Sequence, residues 1–281
     1  MQSGRWSTKR LCVTLVLVLG IFIGAIMGLT GAGGGILAVP VLVAGMHWSM
    51  QQAAPVALIA VAAGAAVGAI DGFRHRLVRY KAAILMAICG IPVTRLGQYW
   101  AHLLPQYLLM GGFALLMLAV SWRFYKQSKQ TQLNAEEDAL RLAFISSETG
   151  KFIWTPVAAM VLAAIGMLTG LMTGLLGVGG GFLIVPLMRR FTHLAVPGIV
   201  ATSLFVITLV GSGGVVNALL AGAELPVVET SSFVGAMISG MLIGRRVSRK
   251  LQAWQVQRGF ALLLFCVSGY MLVKAYLNFE V

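Results

Sequence analysis

Long apolar runs separated by short polar segments form the main pattern of this chain. Ten such runs lie along its 281 residues, at 11–29, 35–46, 53–70, 82–104, 107–122, 152–176, 178–188, 199–220, 230–244 and 259–277. A helix needs about 20 predominantly apolar residues to cross the hydrocarbon core of a bilayer, and most of the runs approach that length. The pattern predicts an all-α integral membrane protein with about 8–10 transmembrane segments.

The ten runs form two matching sets of five. The sequence GLTGAGGGILAVP at 28–40 recurs as GLLGVGGGFLIVP at 174–186, with nine of thirteen positions identical, and GFALL at 112–116 recurs at 259–263. Self-similarity of this extent indicates an internal duplication. We therefore predict a first transmembrane repeat at 1–125, a polar cytoplasmic linker at 126–151 and a second transmembrane repeat at 152–281.

Each repeat contains three consecutive glycines within apolar sequence. Glycine costs about 1 kcal/mol relative to alanine in a helix interior, so each triplet predicts a helix break. A helix that begins after the break presents free N–H groups and the positive end of its dipole, and both attract anions. The alternative is that the glycines only allow close helix packing. The triplets are Gly33, Gly34 and Gly35 in the first repeat and Gly179, Gly180 and Gly181 in the second.

Basic residues between the runs indicate how the repeats are oriented, because Lys and Arg concentrate on the cytoplasmic side. Four basic residues follow the third run, whereas the matching segment after the eighth run has none. Four others follow the ninth run, whereas the matching segment after the fourth run has none. Homologous segments with opposite bias favour inverted repeats with both chain ends outside the cell. The alternative is parallel repeats whose Gly-rich runs are re-entrant. The eight residues are Arg74, Arg76, Arg79, Lys81, Arg245, Arg246, Arg249 and Lys250.

The composition narrows the functional class. The chain is 59% hydrophobic and 10% charged, with a mean hydropathy of +0.90, which excludes a soluble domain. Its formal charge of +13 lies mainly between the apolar runs, so membrane topology explains it better than nucleic-acid binding. The three cysteines show neither metal nor disulfide spacing, and no P-loop is present. We predict no enzyme activity and no cofactor or metal; the expected partners are a small anionic substrate and the lipid bilayer.

Polar side chains inside the runs are few. Arg95 lies well within the fourth run, where a charge is costly and marks a functional candidate. Its guanidinium also suits bidentate binding of an oxyanion. The alternative is that Arg95 snorkels to the interface beside Gln98, Tyr99 and Trp100.

Further polar candidates lie at the end of the third run and in the eighth run. Asp71 corresponds to Asn217 in the duplication, and we expect Asp71 to pair with Arg74 or Arg76 rather than to carry a proton. Thr202 and Ser203 are candidates for lining a polar path, and the alternative for such hydroxyls is interhelical hydrogen bonding.

The two G-x-x-G-x-G-G-G-x-L-x-V-P elements, the A-T-S sequence at 201–203 and the chain length resemble the sulfite exporter TauE/SafE family, over nearly the whole chain. The resemblance implies a transporter of sulfite, sulfoacetate, sulfonates or other small organic anions in the bacterial inner membrane. The first repeat departs from the A-T-S pattern, since Pro55, Val56 and Ala57 stand there.

Residues and resemblance together predict a secondary transporter of small anions, driven by protons or the membrane potential. A passive anion channel is the main alternative, and an intramembrane enzyme is less favoured. The oligomeric state stays open. The predicted substrate-binding residues are Gly33, Gly34, Gly35, Gly179, Gly180, Gly181, Arg95, Thr202 and Ser203.

Overall fold

The computed structural model describes residues 3–31, 33–46, 48–130, 155–192, 194–223, 225–248 and 251–277. These residues form ten α-helices and one 3₁₀ turn, Gly34–Leu37. Most of the predicted linker lies outside the described residues. The helices are α1 Ser3–Thr30, α2 Ala38–Gly45, α3 Met50–Arg74, α4 Tyr80–Leu103, α5 Gln106–Gln130, α6 Pro156–Leu176, α7 Gly181–Phe191, α8 Val196–Leu220, α9 Val227–Ser248 and α10 Ala253–Leu277.

Every predicted apolar run contains a helix. Within the described ranges, seven helices are long and apolar enough to cross a membrane, namely α3, α4, α5, α6, α8, α9 and α10. The segments Thr14–Thr30 and Gly34–Gly45 are shorter apolar helices. The prediction of an all-α, multi-pass membrane protein is confirmed.

Local signals set several helix starts. The Ser49 side chain accepts a hydrogen bond from the Gln52 backbone N–H, and the Gln52 side chain accepts one from the Ser49 N–H, which forms a capping box at α3. At α6 the Thr155 side chain accepts a hydrogen bond from the Ala158 backbone N–H, and Pro156 occupies the first helical position, where a missing N–H costs nothing.

Two pairs of helices pack backbone to backbone. Gly20, Gly24 and Gly28 of α1 lie against α9, and three glycines of α6 lie against α4. A Cβ at Gly24 would fall 2.1 Å from the Met237 carbonyl oxygen, and one at Gly170 would fall 2.1 Å from the Gly90 carbonyl oxygen. Glycine at every fourth position therefore allows these helices to approach closely.

The glycine contacts also show the relative helix directions. Gly24 lies against Met237 and Gly28 against Met241, so α1 and α9 run in the same direction. Gly170 lies against Gly90 and Gly174 against Thr94, so α6 and α4 are parallel too.

The central helices α3 and α8 run in opposite directions. Gly72 lies against Ala201, whereas Gly211 lies against Ala62. Gly64 lies against Met237 and Gly68 against Met241, so α3 is parallel to α9. Gly90 lies against Val210 and Gly213 against Ile91, so α8 is parallel to α4. Helices α1, α3 and α9 therefore oppose α4, α6 and α8, and each matching pair of the two halves (α1 and α6, α3 and α8, α4 and α9) is antiparallel.

The bundle has two unlike ends. The name basic end is used for the end of the bundle at which α3 and α9 finish and at which α4 and α8 begin. The opposite end, where α3 begins and α4 and α8 finish, is the cavity end. The described basic side chains at the basic end include Arg74, Arg76, Arg79, Lys81, Arg245 and Arg246.

Candidate functional site

A cavity of about 1390 Å³ opens at the cavity end of the bundle. Its walls come from the start of α3, the ends of α4, α6 and α8, the segment after α8 and the start of α9. Ligand pockets usually enclose about 300–1000 Å³, so this cavity is a wide vestibule rather than a close-fitting pocket.

One face of α4 supplies a polar wall. Arg95, Gln98, Tyr99 and His102 follow the i, i+3, i+4, i+7 spacing that places side chains on one helix face, and all four line the cavity. The Gln98 side-chain amide donates to the Gly214 carbonyl oxygen at 2.8 Å. Arg95 is exposed, and no carboxylate in the described part of the chain lies within ion-pair distance of it. The predicted site residue Arg95 therefore presents a positive charge to the cavity.

Other polar side chains face the same space. Gln51 and Gln52 line it from the start of α3, and Asn217 from the end of α8. Glu229 also lines it, in the first turn of α9, where a carboxylate is favoured by the helix dipole. The mainly apolar wall thus carries several polar side chains, which include one positive and one negative charge.

The inner end of the cavity lies beside the start of α7. Thr173 and Gly177 line the cavity, and Gly180 precedes α7 in a left-handed conformation with φ 62°. A Cβ at Gly180 would fall 3.1 Å from Thr173 Oγ1 and 2.4 Å from Thr169 Cγ2. The α7 N-terminus has no side-chain cap, so its first N–H groups have no side-chain acceptor, and Gly180 places this terminus next to Thr173.

Thr169, next to this helix start, has an unusual hydroxyl. Thr169 is fully buried, and its Oγ1 has no hydrogen-bond partner among the described residues. Its backbone carbonyl accepts from Thr173 Oγ1 at 2.7 Å. A buried unpaired polar group costs about 1–3 kcal/mol, and native proteins keep few of them without a functional reason.

The two Gly-rich breaks meet at the centre of the bundle. A Cβ at Gly35 would fall 3.3 Å from the Val178 carbonyl oxygen and 3.0 Å from Val61, in the middle of α3. A Cβ at Gly179 would fall 2.9 Å from the same Val61 and 2.8 Å from Ile207, in the middle of α8. Val61, Val178 and Ile207 are at most 1% exposed, so the bundle is sealed here.

The six glycines predicted to bind substrate are all buried, and none lines the cavity. Gly34 packs against α1, since a Cβ there would fall 2.4 Å from Met27 Cα. Gly180 holds a backbone conformation that L side chains rarely adopt. Alanine at either position would disturb packing whether or not the backbone binds anions, so these variants do not separate the two roles.

Thr202 and Ser203 lie near the basic end rather than on the cavity. Thr202 Oγ1 accepts from the Arg79 backbone N–H at 3.0 Å and so ties the α3–α4 connection to α8. Ser203 Oγ donates to the Val200 carbonyl oxygen at 2.8 Å. The structure therefore brings Arg95 to the same cavity as Thr173 and Asn217, but it does not bring Arg95 and Thr202 together.

The prediction that Asp71 pairs with Arg74 or Arg76 is wrong. Its carboxylate pairs with Arg245 at 2.7 Å, whereas Arg74 and Arg76 are exposed. The reason is that α9 runs alongside α3, which places Arg245 next to Gly68, one turn before Asp71.

Several cavity residues were missed by sequence reasoning. Gln98 and His102 had a detectable signal, because they share a helix face with Arg95. Thr169 and Thr173 also lie one turn apart, but hydroxyls in apolar helices usually bond to their own backbone. Only the tertiary structure shows that the Thr169 hydroxyl has no such partner.

Comparisons with known proteins agree with this architecture. The model of the family described as Sulfite exporter TauE/SafE matches residues 16–271. A Bacillus subtilis relative named "Probable membrane transporter protein YunE" is 26% identical over 85% of this chain and 89% of its own length. A relative from Xylella fastidiosa, also named as a probable membrane transporter protein, is 27% identical over 90% of this chain and 92% of its own.

A more distant relative from Methanocaldococcus jannaschii has a corresponding name and is 23% identical over 76% of this chain and 75% of its own. No solved structure matches the chain significantly.

Proposed function

Because this chain belongs to the sulfite exporter TauE/SafE family, we propose that it is a secondary transporter of small anions such as sulfite, sulfoacetate and other organosulfonates. The protein is a membrane transporter and not an enzyme, as the names of its relatives agree. It is a multi-pass membrane protein, and the bacterial inner membrane fits its relatives from Bacillus and Xylella.

The concentration of basic residues supports a cytoplasmic basic end and an outward-facing cavity end. In this orientation α1 begins and α10 finishes outside the cell. The antiparallel directions of matching helices support the interpretation that the halves are inverted repeats.

The observation that carries this proposal is a cavity that, among the described residues, opens at one end of the bundle and stops at packed side chains at its centre. The cavity leads from the cavity end to Thr173 and Gly177, and the next residue, Val178, belongs to the sealed centre with Val61 and Ile207. A carrier needs such a path, which is open to one side and closed to the other, because its substrate site is exposed alternately.

The inner end of that path has features that suit an oxyanion. Arg95 supplies a positive charge to the wall, and guanidinium groups hydrogen-bond well to oxyanions. The α7 N-terminus and the unpaired Thr169 hydroxyl lie just beyond Thr173. A helix N-terminus offers N–H donors and a positive dipole to an anion, and Thr169 Oγ1 supplies a further donor.

A passive anion channel is the alternative, and it would need a continuous open path. The sealed centre disfavours it. We propose a carrier driven by protons or by the membrane potential; the potential, negative inside, favours anion exit and is worth about 2.3 kcal/mol per charge at 100 mV.

The test is flux of radiolabelled sulfite and sulfoacetate into proteoliposomes, with and without an imposed pH gradient and potential. We expect flux that saturates with anion concentration and that responds to at least one gradient. Flux that rises without saturation would favour the channel. Absence of flux for both anions, from protein that elutes as a monodisperse peak, would contradict the proposed substrates.

A further inference from the structure

The ion pair between Asp71 and Arg245 joins α3 to α9 at the basic end of the bundle. Arg245 Nη2 lies 2.7 Å from Asp71 Oδ2, and Arg245 Nη1 donates to the Gly68 carbonyl oxygen at 2.9 Å. The two side chains are 25% and 32% exposed. His75 Nδ1 lies 2.8 Å from the Asp71 carbonyl oxygen and 3.6 Å from its carboxylate.

The cavity end contains a neutral counterpart of this pair. Gly28 lies against the backbone of Met241 and Arg245, and its repeat equivalent Gly174 lies against that of Thr94 and Gln98. Gln98 is therefore the structural equivalent of Arg245. Gln98 donates to Gly214 at 2.8 Å, as Arg245 donates to Gly68.

The equivalence extends to the carboxylate. The offset that relates Gly68 to Gly214 also relates Asp71 to Asn217, and Asn217 lines the open cavity with Gln98. Equivalent polar residues thus occur at both ends. At the cavity end they are neutral and line an open space, whereas at the basic end they are charged and form an ion pair.

Further contacts near the charged pair join the end of α3 to the start of α8. Phe73 packs edge-on against Phe205 with ring centroids 4.8 Å apart, and Gly72 lies against Ala201, which is 1% exposed. The Arg79 N–H donates to Thr202 Oγ1. The end of α3 therefore packs on the start of α8. At the cavity end, by contrast, the equivalent segments, the end of α8 and the start of α3, line the cavity.

From this symmetry, and resting on the proposed function, we infer that Arg245 is the inner contact for the transported oxyanion and that Asp71 occupies its guanidinium while the cavity end is open. A transporter of inverted repeats reaches its second state when each half takes the arrangement of the other. Opening of the basic end would then place Arg245 on the wall of a cavity, as Gln98 lines a cavity now. The Asp71 carboxylate is a tethered anion, and guanidinium binds carboxylates and other oxyanions in the same geometry.

The first test measures closure without any substrate. In a background without Cys12, Cys89 and Cys266, Ala201→Cys reports access to the interface from the basic end by its reaction with a membrane-impermeant maleimide. Loss of a charge-assisted hydrogen bond changes an equilibrium by about 10-fold or more. We expect Asp71→Asn and Arg245→Gln each to raise the labelling rate by about that factor. Arg246→Gln, which removes an exposed neighbouring charge, should leave it unchanged.

The second test separates an anion contact from a closing contact alone. Arg245→Gln should raise the sulfite KM for transport from the basic end by about 10-fold and leave the KM from the cavity end within about twofold. Asp71→Asn should not raise either value. Equal KM changes from both ends, or none, would overturn the assignment of Arg245 as an anion contact.

If the Asp71→Asn and Arg245→Gln variants are labelled at the same rate as the Arg246→Gln control, the ion pair does not close the basic end. If the single variants fail to fold, the double variant Asp71→Arg/Arg245→Asp tests the same role. It keeps the ion pair with the charges exchanged, so it should be labelled slowly. If the unaltered protein carries no sulfite, the proposed substrate fails while the labelling result still stands.

Discussion

At the residue scale, the proposed anion contacts are two side chains, Arg95 on the cavity wall and Thr169 next to the start of α7. Arg95 has no ion-pair partner in the described part of the chain and faces the cavity. Thr169 Oγ1 is buried without a hydrogen-bond partner among the same residues. A free positive charge at the wall and a free hydroxyl beside a helix N-terminus are two donors that an oxyanion requires.

We expect Arg95→Gln to raise the sulfite KM from the cavity end by about 10-fold, because a charge-assisted hydrogen bond is lost, with little change in kcat. Arg74→Gln, an exposed arginine outside the cavity, is the control. The measurement is concentration-dependent uptake in proteoliposomes. Reduced membrane abundance with an unchanged KM would instead assign Arg95 to snorkelling.

Thr169→Val gives a sharper test, because valine has nearly the shape of threonine. Removal of an unpaired buried hydroxyl should leave thermal stability unchanged or raise it by about 1 kcal/mol, while sulfite flux at low concentration falls several-fold. Thr208→Val is the matched control, since its hydroxyl bonds to Leu204 within α8. Retained flux together with increased stability would show that Thr169 has no role in transport.

At the scale of the elements, glycine has two separate roles in this protein. In α1 and α6, glycines at every fourth position bring helices from opposite halves into backbone contact. The Gly-rich triplets instead end one helix and begin the next at the centre of the bundle. Spacing distinguishes the roles, because only a periodic set forms one continuous helix face.

Gly170→Ala should destabilise the protein, because the added methyl group would meet the Gly90 carbonyl oxygen. Overpacking costs about 1–3 kcal/mol. Gly112→Ala on α5, where a Cβ meets open space, should be neutral or should stabilise by up to about 1 kcal/mol. Thermal unfolding in detergent measures both. Equal stability of the two variants would argue against tight contact between α4 and α6.

At the scale of the whole molecule, the arrangement combines near symmetry with one clear difference. Matching helices run in opposite directions and make equivalent contacts, yet one end encloses the wide cavity, whereas at the other end Arg245 pairs with Asp71. An alternating carrier needs this combination, because the two states can exchange when the halves exchange arrangements.

The orientation in the membrane is testable with single cysteines in the cysteine-free background. Ala221 lines the cavity, so Ala221→Cys should react with an impermeant maleimide added outside intact cells if the cavity end faces out, as proposed. Arg246→Cys, at the basic end, should react only after the membrane is permeabilised. Reaction of Arg246→Cys in intact cells would reverse the proposed topology.

The sequence by itself determined the helical membrane fold, the positions of all ten runs and the family, because apolar length and repeated motifs are local properties that remain visible in one dimension. It also identified Arg95, since a charge inside an apolar run is conspicuous wherever that run packs. Only the tertiary structure decided which polar groups share a space. The pairing of Asp71 with Arg245 and the placement of Thr202 away from Arg95 depend on the neighbours of α3 and α8, and residues more than a hundred positions apart set those contacts. Periodicity gives the face of a helix but not the helix that it meets.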